Sequence, residues 1–135
     1  MREDRAQLAT PLVEVTVGIL LVLAVSLGFA VVPVETDDAP TLDRTAADAL
    51  SVLAVEPPVG TGTDRLTAAC RSPSAFDTES DALDRRLRAM LPTPLSYRLE
   101  TPHGAVGQPL PSGLPTGAAS LTTDGCTVTL RVWSA

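Results

Sequence analysis

Few side chains in this chain of 135 residues could do chemistry. It has one histidine, His103, and two cysteines, Cys70 and Cys126, far apart in the sequence. A single histidine cannot supply the histidine pair of a common zinc site, and the sequence has no Cys-x-x-Cys pair. It also has neither a G-x-S-x-G nucleophile elbow nor a glycine-rich phosphate loop. We therefore predict that the chain is not an enzyme and binds no metal or cofactor.

The histidine and the cysteines have simpler interpretations. His103 lies in the sequence Thr-Pro-His-Gly, which is typical of a turn. Cys70 and Cys126 are either two buried thiols or a disulfide, and the sequence leaves both possibilities open. A compartment outside the cell would permit the bridge.

An uncharged apolar run covers residues 15–34. Twenty helical residues rising about 1.5 Å each would cross the roughly 30 Å hydrocarbon layer, so the run predicts a transmembrane helix. Arg2 and Arg5 precede the run, and the first basic residue after it is Arg44. This arginine bias predicts a cytoplasmic head over residues 1–14 and an extracellular domain over residues 35–135 of a single-pass protein of the cell membrane. A cleavable signal peptide is the rival interpretation, but its apolar region is usually only about 7–15 residues long.

The charge of the chain limits its partners. Residues 35–135 contain thirteen acidic residues against eight arginines. Such a surface repels phosphate backbones, so we predict that the chain does not bind nucleic acid. All ten basic residues are arginines, and together with the acidity this composition is typical of a salt-adapted organism, where salt screens the repulsion between like charges.

The head of the chain carries a recognisable tetrad. Arg5, Ala6, Gln7 and Leu8 stand just ahead of the apolar run and resemble the processing site of archaeal type IV pilin precursors. The resemblance implies that a membrane peptidase cuts after Ala6, that the mature chain begins at Gln7, and that the apolar helix serves as anchor and assembly surface.

Glu14 is a carboxylate at the edge of the apolar run. An ionisable group in this position is a candidate assembly contact. In type IV pilins a glutamate is the fifth mature residue, whereas cleavage after Ala6 would make Glu14 the eighth. Cleavage after Ala9 would make Glu14 the fifth but would leave no charged residue next to the cut. The alternative is a solvated carboxylate that the helix dipole favours near the helix N-terminus.

The resemblance extends over nearly the whole chain. It is carried by RAQLxxxLVEVTVGxLxVLAVxxGFA at the front, by LDRxAADALxVLAxEPP behind it and by the ending TLRVW. These stretches are similar to a small uncharacterised family of haloarchaeal pilin-like membrane proteins. The resemblance implies membrane lipid as a partner, together with type IV pilus or secretion-type platform components and related pilin-like subunits.

The residues after the apolar run predict helices followed by strands. Apolar residues three and four apart from Thr41 onward indicate an amphipathic helix, and Asp64 is placed to cap a short helical turn. A second helix is expected from Thr78 to Met90. There two acid–arginine pairs are spaced four apart, Asp81 with Arg85 and Asp84 with Arg88.

The last forty residues have the pattern of a small sheet. Apolar and polar residues alternate over residues 95–100, and the two segments around Asp124-Gly125 predict a type I′ hairpin. Residues 102–117 are rich in proline and glycine and predict either an ordered, turn-rich loop or an extended segment along the edge of the sheet. The predicted fold class is therefore α+β, with an N-terminal transmembrane helix followed by a small helical segment and a C-terminal antiparallel sheet.

From these features we expect a membrane-anchored envelope protein. The pilin-like head favours a structural subunit of a pilus-like or secretion-like system. The alternative is a free-standing surface protein that binds a partner or ligand without polymerising.

Overall fold

The computed structural model describes residues 14–26 and 38–135. Residues 14–26 are helical and are called α1. Residues 38–135 have α+β architecture with three further helices and four strands. Their bounds are α2 Asp38–Leu53, α3 Arg65–Ala69, α4 Pro73–Met90, β1 Leu95–Thr101, β2 Gly104–Gly107, β3 Thr116–Thr123 and β4 Cys126–Ser134.

The transmembrane helix in the predicted fold class is wrong. Within residues 14–26 and 38–135, no helix is both long enough and apolar enough to cross a membrane. The described part of α1 has thirteen residues, which rise about 20 Å at 1.5 Å per residue, against the roughly 30 Å of the hydrocarbon layer. Residues 27–34 of the predicted span lie outside the described residues.

The two long helices bury the faces that pack on the sheet. In α2 the apolar stripe is buried as its spacing predicts, at Leu42, Ala46, Ala49, Leu50 and Leu53. Helix α4 begins at Pro73, five residues before the expected start. The local sequence explains this, because Ser72 Oγ accepts a hydrogen bond from Ala75 N at 3.1 Å and proline suits the first helical turn.

The four strands form one antiparallel sheet in the order β2-β1-β4-β3. One face carries the apolar residues that complete the core, including Leu99, Val128, Leu130 and Val132. Helix α2 packs against β3 and β4, and α4 packs against β2. The predicted hairpin turn lies between β3 and β4, where Asp124 and Gly125 have φ values of 48° and 76°. Positive φ at both central residues is what a type I′ turn requires.

Strand β2 lies inside residues 102–117, for which the sequence left both a turn-rich loop and an extended edge segment open, and it is an edge strand of the sheet. It pairs with β1 in the register Thr101↔Gly104 to Arg98↔Gly107. The glycines that indicated a loop instead allow close packing. A Cβ on Gly104 would lie 2.4 Å from Phe76 Cε1 of α4, so only glycine lets β2 approach that helix.

A disulfide joins Cys70 to Cys126, with 6.0 Å between their Cα atoms. Cys70 is the C-terminal cap of α3 and Cys126 is the first residue of β4. The bridge therefore fixes the helical half of the domain to the terminal hairpin across a sequence separation of 56 residues. Of the two possibilities that the sequence leaves open, the structure contains the bridge.

Replacing both cysteines by serine should lower the free energy of unfolding by about 4 kcal/mol, because the bridge restricts the unfolded chain over a long loop. Chemical denaturation monitored by circular dichroism measures the change. Reductant should shift the midpoint of the wild type and leave that of the Cys70→Ser/Cys126→Ser variant unchanged. Equal midpoints for the oxidised wild type and the double variant would contradict a stabilising bridge.

Candidate functional site

The predicted head residues fall in two regions. Ala6 and Gln7 lie outside the described residues, so cleavage between them stays a prediction. Glu14 is helical and exposed at the first described position of α1, and its assembly role also stays a prediction. His103 lies in the turn between β1 and β2, where its N–H donates to Thr101 Oγ1 at 3.1 Å.

Helix α1 is apolar on every side and uncovered on every side. All thirteen of its described residues are exposed. Eight large apolar side chains have exposed fractions between 51% and 66%: Val15, Val17, Ile19, Leu20, Leu21, Val22, Leu23 and Val25. A helix that is hydrophobic all round is normally covered by lipid or by other protein. This helix is therefore the first candidate for a contact surface.

The second candidate is a buried carboxylate in the α+β domain. Glu79 on α4 has an exposed fraction of 1%. Its Oε2 accepts a hydrogen bond from Val59 N at 3.0 Å, and its Oε1 accepts one from Gly60 N at 2.8 Å. The carboxylate thus holds the loop after α2 against α4 through two backbone amides.

An alternating chain of charges extends from Glu79 to the surface. Arg65 Nε lies 3.7 Å from Glu79 Oε2, and Arg65 Nη1 donates to Glu56 Oε2 at 2.8 Å. Glu56 Oε1 in turn accepts from Arg86 Nε on α4. We call Glu79, Arg65, Glu56 and Arg86 the charge network. It ties α3, α4 and the loop between α2 and α3 together.

Helix α3, which carries Arg65 at its first position, is fixed by its own cap. Asp64 Oδ1 accepts from Thr67 N at 2.9 Å, and Asp64 Oδ2 accepts from Thr67 Oγ1 at 2.8 Å. Burial acts to raise the pKa of Asp64, but the hydrogen bonds from Thr67 and Thr63 outweigh it and the pKa is lowered. The cap therefore stabilises the fold above the ordinary pKa of an aspartate and loses this contribution as the pH falls through the lowered value.

The contacts of the charge network give it a structural role. Both oxygens of Glu79 are used by backbone amides, so neither is presented to a substrate as a base. Within residues 14–26 and 38–135, no three histidine, cysteine or acidic side chains are grouped so that they could hold a metal ion. What the network can do is fix the position of Arg86, which reaches the surface with 44% of its side chain exposed.

The arginines of α4, which are Arg85, Arg86 and Arg88, form only one of the two ion pairs that the sequence predicts. Arg88 Nη2 lies 2.6 Å from Asp84 Oδ2, which is the expected pair at spacing four. The expected pair of Asp81 with Arg85 is absent, and Arg85 has no ion-pair partner among the described residues. Arg86 pairs with Glu56 from a different segment instead.

Glu79 was not predicted as a buried residue, although its spacing in α4 indicates burial. Phe76, Leu83 and Leu87 form the buried stripe of α4, and Glu79 occupies the position between them at helical spacing. A carboxylate within an apolar stripe must be hydrogen-bonded and paired if it is buried. The sequence therefore indicated a buried acid, but it could not name the loop amides and the arginine that meet it.

Comparison with protein families places almost the whole chain in one group. The family model of DUF7262, described as a family of unknown function, matches residues 4–134. The comparison with curated proteins gave no match. The comparison with solved structures gave none either.

Replacing Glu79 by glutamine should destabilise the domain by about 1–3 kcal/mol, since an amide can accept at only one of its two positions and leaves a buried backbone N–H unpaired. Asp77→Asn is the matched control, because Asp77 is an exposed acid on the same helix and should change stability by no more than about 0.5 kcal/mol. Urea denaturation of both variants measures the difference. Equal stability of the two variants would show that the buried carboxylate is not needed.

Proposed function

The chain belongs to DUF7262, and we propose that it is a membrane-associated structural subunit of the cell envelope that acts by assembly and not by catalysis. The observation that carries this proposal is α1, an apolar helix whose described residues are all exposed. Burying a large aliphatic side chain is worth about 1.5–3 kcal/mol. Eight such side chains on one helix supply a strong drive toward an apolar environment.

The disulfide supports a location of the α+β domain outside the cell. Bridges between cysteines form and persist in oxidising compartments and are rare in the cytosol. The Cys70–Cys126 bridge closes a long loop in a domain with little aromatic core, and it is the kind of covalent staple that small exported domains use. We therefore assign the domain to the outer side of the membrane.

The class of partner that we propose is supported by the resemblance of the head of the chain to type IV pilins. In type IV pilins an apolar N-terminal helix is both the membrane contact and the surface on which subunits pack. Here the same order is present, with a short head, an apolar helix and then an α+β domain. The proposed partners are accordingly membrane lipid, related pilin-like subunits and the platform components of a pilus-like or secretion-like system.

Membrane association can be tested on α1 directly. An aspartate in an apolar environment costs about 2.5–3.5 kcal/mol on insertion scales, so Leu20→Asp/Leu23→Asp should move the protein from the membrane pellet to the supernatant when the membranes of lysed cells are sedimented. Leu110→Asp/Leu114→Asp is the matched control, since these leucines are exposed in the loop between β2 and β3. The control should stay in the pellet with the wild type. Wild-type protein in the supernatant, or the α1 variant in the pellet, would contradict the proposal.

Assembly can be tested separately from membrane association. The full-length tagged chain, purified from its own detergent-solubilised membranes, should co-purify with the ATPase and platform components of a pilus-type system. If the wild type partitions with membranes but purifies without any such component, the chain is a free-standing surface protein instead.

A further inference from the structure

We infer that the groove between α2 and α4 is a contact surface between two copies of this chain. The groove has a volume of 440 Å³. Its floor is apolar and consists of Ala49, Val52, Met90, Leu91 and Pro92. We call this surface the α2–α4 groove. The inference rests on the proposed assembly function and names one interface within it.

Exposed apolar surface is also found just past the end of α2. Val52, which lines the groove, is 38% exposed, and Val55, in the turn two residues after Leu53, is 80% exposed. The Val55 N–H donates to Val52 O at 3.2 Å, so the turn follows directly from the end of the helix. Val55 therefore adds apolar surface next to Val52, and apolar surface of this kind forms the core of interfaces.

The two rims of the α2–α4 groove carry opposite charges. Asp48 lines the α2 side and is exposed, with no hydrogen bond or ion pair to any described residue. Arg86 lines the α4 side, where Nε contacts Glu56 and the two terminal nitrogens make no hydrogen bond with the described residues. One rim thus offers an unpaired anion, and the other offers a cation with unused donors.

This charge arrangement favours a second copy as the occupant. In a two-fold symmetric contact the same patch faces itself, so residue i of one copy meets residue j of the other and the reverse. A two-fold axis running along the groove brings the α2 rim of each copy to the α4 rim of the other. Asp48 then faces Arg86 twice, while the apolar floors cover each other. A lipid surface would leave Asp48 unpaired against headgroups or hydrocarbon.

A charge exchange tests the contact in the full-length chain. Two differently tagged copies are expressed together and extracted in mild detergent, and capture of one tag by the other is quantified. Asp48→Arg in both copies, or Arg86→Asp in both copies, places like charges opposite each other and should reduce capture at least about tenfold. Asp48→Arg in one copy with Arg86→Asp in the other makes every facing pair opposite in sign and should restore capture.

Matched controls separate the groove from the general charge of α4. Arg85→Asp and Asp81→Arg make the same changes at exposed positions of α4 that do not line the groove. Both should leave capture at the wild-type level. Restored capture between the Asp48→Arg copy and the Arg86→Asp copy would also show that Arg86→Asp does not act by misfolding through the loss of its contact with Glu56. A misfolded copy could not be rescued by its partner.

The outcomes distinguish this interface from the proposed function. Capture that is equal in all samples, or that the mixed pair fails to restore, overturns the α2–α4 contact even where platform components still co-purify. An absence of capture in the wild type overturns it as well. Charge-dependent capture by a chain that lacks platform components would uphold the contact and remove only the pilus-like assignment.

Discussion

The buried carboxylate of Glu79 is the interaction on which the arrangement of the helical half depends. A charged side chain that is 1% exposed can be tolerated only with full hydrogen bonding and a nearby opposite charge. Val59 N, Gly60 N and Arg65 meet that requirement, and all three come from outside α4. The loop after α2 and the start of α3 must therefore lie where Glu79 places them. Removing any one of these partners would leave a buried charge poorly compensated.

The charge network also determines what the domain shows at its surface. Arg65, which lies 3.7 Å from Glu79, and Arg86, which lines the α2–α4 groove, contact the two oxygens of Glu56. The position of the exposed Arg86 therefore depends on a network that reaches the buried carboxylate. Val55 and Val59, in the same loop between α2 and α3, stay exposed at 80% and 60%.

Local patterns were sufficient to predict the elements whose residues repeat with a clear period. The buried stripe of α2, the alternation in β1 and the turn at Asp124-Gly125 each depend on neighbours within a few residues, and the structure has all three. The sequence could not decide between a loop and an extended edge segment at β2, because the close approach at Gly104 is to Phe76, nearly thirty residues earlier. The partners of Glu79 could not be predicted for the same reason, since Val59 and Gly60 are about twenty residues away. Composition and the spacing of apolar residues do not show which distant segments will contact each other.

The α+β domain and the apolar helix have opposite relations to water, and this contrast is the main physical argument for assembly. The domain covers its own core with α2, α4 and one face of the sheet, and the disulfide closes it covalently. Helix α1 instead exposes eight large aliphatic side chains, far more than scattered surface residues would explain. A chain that acted alone in water would gain nothing from such a helix and would aggregate through it. In the function proposed above, lipid and neighbouring subunits cover this helix, whereas the α+β domain already covers its own core.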